Sequence, residues 1–259
     1  MTQLIKDGRK RPFIVIEGGD GTGTTTQAEA LRMRINAEGI VGVRAVATRL
    51  PSESEIGQLL RKMLKGDHPT WDWLVQKHLF CADRHLHVAE VVDPALGIGT
   101  GAWVQPMGMI LDRYGYSTAV YQGIQAAAAL HEANPVTLFV HDQRSWDTGQ
   151  WVAYLIRQMQ MEPGWREPDL AILLDVSPEE AARRRVARQG VKELFDFYEF
   201  QIVVAREYRG LWHHLAVRHD ERRYVVVDGN RPVDEIAKDI TALAWPLFEG
   251  GASASGCTR

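Results

Sequence analysis

Cysteine is scarce in this sequence. Cys81 and Cys257 stand far apart and match no metal-ligand spacing, which leaves out a disulfide framework and a paired-cysteine zinc site. No apolar run is long enough to cross a bilayer, and the polar, basic stretch from Met1 to Arg11 has no apolar segment behind it, so neither a membrane span nor a secretory leader is expected. A charge excess is missing too: 30 Lys and Arg stand against 33 Asp and Glu, a net of -3, which argues against nucleic acid or an anionic membrane as a partner. These absences suit a cytoplasmic protein. What is present is a chain of 259 residues, 45% hydrophobic, enough for one large domain with a substantial core.

The most informative absence is local. In Phe13-Ile-Val-Ile-Glu17-Gly18-Gly19-Asp20-Gly21-Thr22-Gly23-Thr24-Thr25-Thr26, the phosphate-loop pattern G-x-x-x-x-G-K-[ST] is met at Gly18, Gly23 and Thr25, with Thr24 in the lysine position. A glycine-rich turn after an apolar strand presents backbone N–H groups at a helix N-terminus, where the helix end favours an anion. Gly18, Gly19, Gly21, Thr22, Gly23, Thr24, Thr25 and Thr26 are therefore the expected ATP-binding residues, and the Thr25 hydroxyl is a candidate magnesium ligand. Thr24 cannot place a positive charge on the transferring phosphate. Either another cation does so or the nucleotide is held without fast turnover.

Short apolar runs alternate with longer helical stretches, the pattern of parallel strands joined by crossover helices, so an α/β fold is expected. Five strands are read at Phe13–Glu17, Val43–Thr48, Met109–Asp112, Leu170–Asp175 and Tyr224–Val227, with helices at Thr25–Glu38, Ser54–Lys65 and His78–Val92, the last stopped by Asp93-Pro94. The composition of Gly97–Gly101 marks a flexible loop, and the tail from Glu249 to Arg259 reads as disordered. His78, Cys81, His85 and His87 crowd one segment, but only some share a helix face and no second ligand cluster accompanies them, so no metal site is expected there.

The third strand ends in Asp112-Arg113. In open α/β sheets the ligand crevice lies beyond the carboxyl ends of the strands, which would put Asp112 beside a magnesium ion and Arg113 on phosphate oxygens. A buried strand-end ion pair is the plain alternative.

Four segments together resemble the thymidylate kinase family, in that family's order: Glu17-Gly-x-Asp20-Gly-x-Gly-x-Thr25-Thr26-Gln27, Phe80-x-Ala-Asp83-Arg84-x-x-His87, Asp112-Arg113-Tyr114-x-x-Ser117-x-Ala119-x-Tyr121-Gln122-Gly123, and Pro168-Asp169-Leu-x-x-x-Leu-Asp175. The resemblance implies ATP-dependent, magnesium-assisted phosphorylation of dTMP to dTDP. It also implies the P-loop nucleoside monophosphate kinase fold, a five-stranded parallel sheet flanked by helices with a mobile lid, in a protein that forms a homodimer. On that basis residues 1–248 form one kinase domain with its lid at about 183–200, followed by the tail at 249–259.

For individual residues, the resemblance implies that Phe80 stacks on thymine, Arg84 donates to a pyrimidine carbonyl, and Tyr121 packs beside the sugar and disfavours a 2′-hydroxyl. Ser117 and Gln122 add polar contacts, Arg49 and Arg113 reach the monophosphate, and Asp20 sits near the reacting phosphates. Read without it, Phe80 is core packing, Arg84 pairs with a helix neighbour, and Asp20 forms a turn before Gly21. Arg184 and Arg188, four residues apart on one helical face, are the expected lid cations that make up for Thr24. A solvated helix with Glu179 and Glu180 paired to Arg183 and Arg184 is the alternative.

The sequence departs from the family at Thr24 and at Phe197, which stands where a lid arginine is usual. Two stretches, Gly97–Gly108 and Ala126–Arg144, look longer than the family norm. Two other functions therefore stay open: a kinase for another pyrimidine deoxynucleoside monophosphate, base-modified ones included, and a nucleotide-binding protein with impaired turnover.

Overall fold

Five parallel strands, β1 (Phe13–Glu17), β2 (Ala45–Arg49), β3 (Gly108–Asp112), β4 (Leu170–Asp175) and β5 (Tyr224–Asp228), form a single sheet in the order β2-β3-β1-β4-β5. The computed structural model describes residues 11–37, 44–99, 107–130, 145–187 and 194–249. The β1 and β4 bounds are those read from sequence; β2 starts at Ala45 and runs to Arg49, with Val43 outside the described residues.

Each central strand reads as an unbroken apolar run because helices cover both faces of the sheet. Phe13 and Val15 point into one core with Met109, Leu111, Ala171 and Leu173, against side chains of α3 (Trp73–His87), α5 (Gly115–Leu130), α6 (Ser145–Gln160) and α8 (Tyr198–Arg218). Ile14 and Ile16 point the other way, into a smaller core with Ile110, Ile172 and Leu174, closed by α1 (Thr24–Ala37) and α9 (Val233–Phe248). Strand register brings Arg49 level with Asp112, and Asp112 level with Ile16, so β2, β3 and β1 end together at the carboxyl edge.

Both ends of the third helix differ from the expectation. The third helix begins at Trp73, before His78, because Asp72 caps it: its carboxylate accepts from Leu74 N at 2.8 Å and Val75 N at 3.0 Å. It also fails to stop at Asp93-Pro94. A π-helical turn over Val88–Val92, in which Asp93 N–H bonds Val88 O, carries the chain into α4 (Asp93–Ala95). The wider turn relieves the collision that a proline ring makes with the carbonyl four residues back in a regular α-helix. α5 continues through Leu130, so the first part of the Ala126–Arg144 stretch is helix. Residues 131–144 of that stretch, residues 100–106 of the Gly97–Gly108 stretch, and residues 250–259 of the tail lie outside the described residues. The second helix, α2 (Glu55–Leu64), is capped by Ser54, whose hydroxyl accepts from Gly57 N at 3.0 Å.

Candidate active site

Between β1 and α1 the chain folds back on itself. Thr22 donates to Gly19 O from both its N–H (3.3 Å) and its hydroxyl (2.8 Å), and Gly21 and Gly23 take φ of 91° and 93°, left-handed values that side chains other than glycine resist. The turn delivers the chain into α1 at Thr24, so the unbonded N–H groups of the first helical turn open toward a cleft of about 660 Å³. Gly21, Gly23, Thr24, Thr25 and Thr26 line that cleft. Gly18, Gly19 and Thr22 do not; they shape the loop from behind.

Asp112, at the end of β3, accepts a short hydrogen bond from the Thr25 hydroxyl on one carboxylate oxygen. Its other oxygen is buried with no hydrogen-bond partner. A buried carboxylate oxygen without a donor is costly, and a cation at the site would relieve it.

Arg113 sits at φ 70°, an uncommon conformation for a side chain of its size. Three contacts hold it there: its N–H donates to Ile16 O at 3.0 Å, its Nη2 donates to Asp20 at 2.7 Å, and its guanidinium lies 5.8 Å from the centre of the Tyr121 ring. Asp20 also accepts from the Tyr121 hydroxyl and from Gln201 Nε2, each at 2.9 Å. The Asp20 carboxylate is thus an anchor that orients Arg113 and Tyr121.

Glu17, buried at the end of β1, is a site residue beyond those expected from the sequence. One oxygen accepts from Tyr114 N at 2.7 Å and Ser117 N at 3.3 Å, at the start of α5; the other accepts from the Ser117 hydroxyl at 2.5 Å and the Tyr208 hydroxyl at 2.9 Å. Loss of hydration pushes its pKa up from 4.5 to about 7, against the opposing pull of Arg113 and these hydrogen bonds. Glu17 therefore ties β1 to the helix that carries Ser117, Tyr121 and Gln122.

Arg49, Phe80, Arg113, Ser117, Tyr121 and Gln122 line the same cleft as the phosphate loop. Gln122 is almost wholly buried, and its carboxamide oxygen has no partner. Asp83 also lines the cleft, and its carboxylate accepts from Ser52 N at 2.7 Å and the Ser54 hydroxyl at 2.8 Å, fixing the segment that follows Arg49. Arg84 is not among the lining residues. It is 2% exposed, paired with Glu162, and its guanidinium lies 5.4 Å from the centre of the Trp165 ring.

Of the two lid arginines read from sequence, Arg184 points behind the loop, to Thr22 O at 3.3 Å and Gly229 O at 2.8 Å, and Arg188 lies outside the described residues. The α7 arginine that lines the cleft is Arg185, with Phe195 and Asp196 of the segment before α8. Its signal in the sequence is its place one turn after Ala181, the buried residue of α7 (Pro178–Ala187). Leu194 N–H bonds Leu64 O at 2.8 Å, which draws that segment to the end of α2, and Phe195 meets the Tyr121 ring edge-on at 5.3 Å between ring centres.

Among known proteins, the family model for thymidylate kinase matches residues 16–139. The thymidylate kinase of Ruegeria pomeroyi is 31% identical over 232 residues, covering 89% of this chain and 93% of the relative. That of Dinoroseobacter shibae is 32% identical over 231 residues, with 89% and 94% covered. A solved structure of thymidylate kinase from Candida albicans superposes with a TM-score of 0.64 at 20% identity, over 90% of this chain and 91% of that one, which shows a shared fold.

Proposed function

This chain belongs to the thymidylate kinase family, and we propose that it transfers the γ-phosphoryl group of ATP to dTMP, releasing ADP and dTDP. One observation carries the reading. A single cleft is lined both by phosphate-loop residues at a helix N-terminus and by Arg49, Arg113, Phe80, Tyr121 and Gln122, so donor and acceptor share one enclosure. Its volume of about 660 Å³ lies within the range of small-molecule sites.

In this reading a monophosphate oxygen of dTMP attacks the γ-phosphorus in line, a new P–O bond forms, and the bond to the ADP oxygen breaks with its electron pair passing to ADP. A phosphate monoester is already a competent nucleophile, so the protein's work is alignment and charge stabilisation. Arg113, held by Asp20, and Arg49 at the carboxyl edge of the sheet bind the acceptor phosphate. Phe80 stacks on the base, the unpaired Gln122 oxygen accepts from a base N–H, and Tyr121 crowds the sugar. Arg84 reaches the base only by leaving Glu162. The residues present fit a magnesium ion: the partnerless oxygen of Asp112 and the Thr25 hydroxyl are oxygen donors of the kind it takes. When bound, the ion neutralises charge on the phosphate oxygens.

A homodimer belongs to the same reading. Exposed Leu74 and Val75 on α3 and Tyr154 on α6 support it, on helices joined by the contact between Trp73 and Trp151; a monomeric mass in sedimentation would remove it.

The test is ADP release with Mg-ATP and a panel of dTMP, dUMP, dCMP, dGMP and dAMP. Fastest turnover on dTMP is expected. Preference for another monophosphate overturns the base assignment, and no turnover on any overturns phosphoryl transfer.

A further inference from the structure

Phe80, Tyr114, Thr118, Tyr121 and Gln122 line the part of the cleft assigned to the acceptor, and Arg84 does not, although it stands one helical turn after Phe80 on α3. Its guanidinium is engaged elsewhere. Nη2 donates to Glu162, and Nη1 approaches Met159 Sδ at 3.0 Å and Cys81 Sγ at 3.7 Å. The group lies 5.4 Å from the centre of the Trp165 ring and 5.9 Å from that of Tyr114, and a Cβ at Gly115 would come within 2.5 Å of Trp165 and 3.1 Å of Arg84 Nη1. Arg84 is thus packed among aromatic and sulfur atoms against the start of α5.

Glu162 is itself fixed. In the turn after α6 its N–H bonds Met159 O and its carbonyl accepts from Trp165 N–H, each at 3.1 Å, and its second carboxylate oxygen faces Lys77 at 3.4 Å. To reach a base, Arg84 would exchange a charge-assisted bond to a carboxylate, roughly twice as strong as a neutral one, and two aromatic rings for one bond to a neutral carbonyl. That exchange is uphill. What remains for the base edge is the carboxamide of Gln122, whose oxygen has no partner and whose Nε2 makes a long contact of 3.4 Å to Gln76. A guanidinium only donates, so it tells a carbonyl from an amino group at position 4 of a pyrimidine; a carboxamide both donates and accepts, so it serves either.

We infer that Glu162 is a positioning residue that sets base selectivity: by holding Arg84 out of the cleft it leaves position 4 of the pyrimidine unread, so the acceptors include 4-amino pyrimidines such as 5-methyl-dCMP beside dTMP. The inference rests on the kinase reading above. The transfer is the same for both acceptors: the γ-phosphorus forms a bond to a 5′-phosphate oxygen as its bond to the ADP oxygen breaks, which for 5-methyl-dCMP gives ADP and 5-methyl-dCDP.

A matched pair of acceptors tests this. dTMP and 5-methyl-dCMP share the C5 methyl group and differ at N3 and position 4, so the ratio of their kcat/KM values reports how that edge is read. In the wild type the ratio is expected within about tenfold, against roughly 10⁴ for a site that hydrogen-bonds the distinguishing group. Glu162→Ala frees Arg84 to donate to the carbonyl of thymine, so the ratio should rise at least about tenfold in favour of dTMP, and adding Arg84→Met should return it to within about threefold of the wild type. A general loosening of the fold lowers both rates together and leaves the ratio alone; thermal melts confirm that each variant is folded at the assay temperature, and the wild-type comparison needs no variant. A wild-type ratio above about tenfold, or a ratio that Glu162→Ala leaves unchanged, overturns the inference. A wild type that turns over neither acceptor overturns the kinase reading itself, a distinct result.

Discussion

Glu162, in the turn after α6, pairs with the buried guanidinium of Arg84 and also lies 3.4 Å from the ammonium of Lys77, so one partly exposed carboxylate serves two cations that are nearly shut off from water. Removing it strands both charges. Glu162→Gln is expected to lower stability by about 2 kcal/mol, below the usual cost of breaking a fully buried pair because Glu162 itself is partly hydrated. Arg84→Met should cost less, since Glu162 keeps Lys77. Urea unfolding of the two variants checks the order; equal midpoints would mean that the pair is not what holds Arg84 in place.

Asp112 separates stability from activity. Its partnerless oxygen makes Asp112→Asn neutral or mildly stabilising in the nucleotide-free protein, because a buried charge is removed. The same change should raise the magnesium concentration needed for half-maximal rate by about tenfold or more, as one of few anionic ligands is lost. Melts and a magnesium titration report the two effects, and a lowered melting temperature with an unchanged magnesium requirement would contradict this assignment.

Glu17 makes stability depend on pH. Its pKa is raised in the folded protein to about 7 from 4.5, so between those values the native state binds more protons than the unfolded chain. Its contribution is therefore most favourable below pH 4.5, declines as pH rises to about 7, and is flat above, a change of about 3 kcal/mol at 1.36 kcal/mol per unit. Glu17→Gln keeps an acceptor for Tyr114 N and Ser117 N and should flatten that slope. Denaturant unfolding from pH 4.5 to 7.5 measures it; an identical slope in both proteins would rule Glu17 out as its source.

Two glycines with nearly the same φ should respond differently. At Gly23 an added Cβ meets nothing within 4 Å, so Gly23→Ala carries backbone strain alone, about 1 kcal/mol. At Gly21 the Cβ also strikes α7, so Gly21→Ala should cost more, about 2–3 kcal/mol, and displace Arg185. Thermal unfolding without nucleotide gives the order, and equal costs would mean that α7 does not rest on the loop.

How much of this was legible differs from element to element. The bounds of β1 and β4 were readable because strands buried on both faces are continuous apolar runs, and the strand–turn–helix at Gly18–Thr26 was readable because its glycines answer a local conformational need. The start of α3 was missed because Asp72, its cap, sits between two tryptophans that hide the helical period. Passage through Pro94 was missed because a π turn leaves no mark in apolar spacing.

Side-chain direction is another matter. The backbone conformation of Gly21, the apolar cores and the absence of a loop lysine are properties of neighbouring residues, and the chain's own order states them. That Arg84 turns to Glu162, and that Arg185 rather than Arg184 faces the cleft, depends on partners brought together by closing the sheet: Glu162 is 78 residues from Arg84, and Asp20 is 165 residues from Arg185. A guanidinium is drawn to whichever acceptor ends up within reach, and reach is a property of the folded molecule.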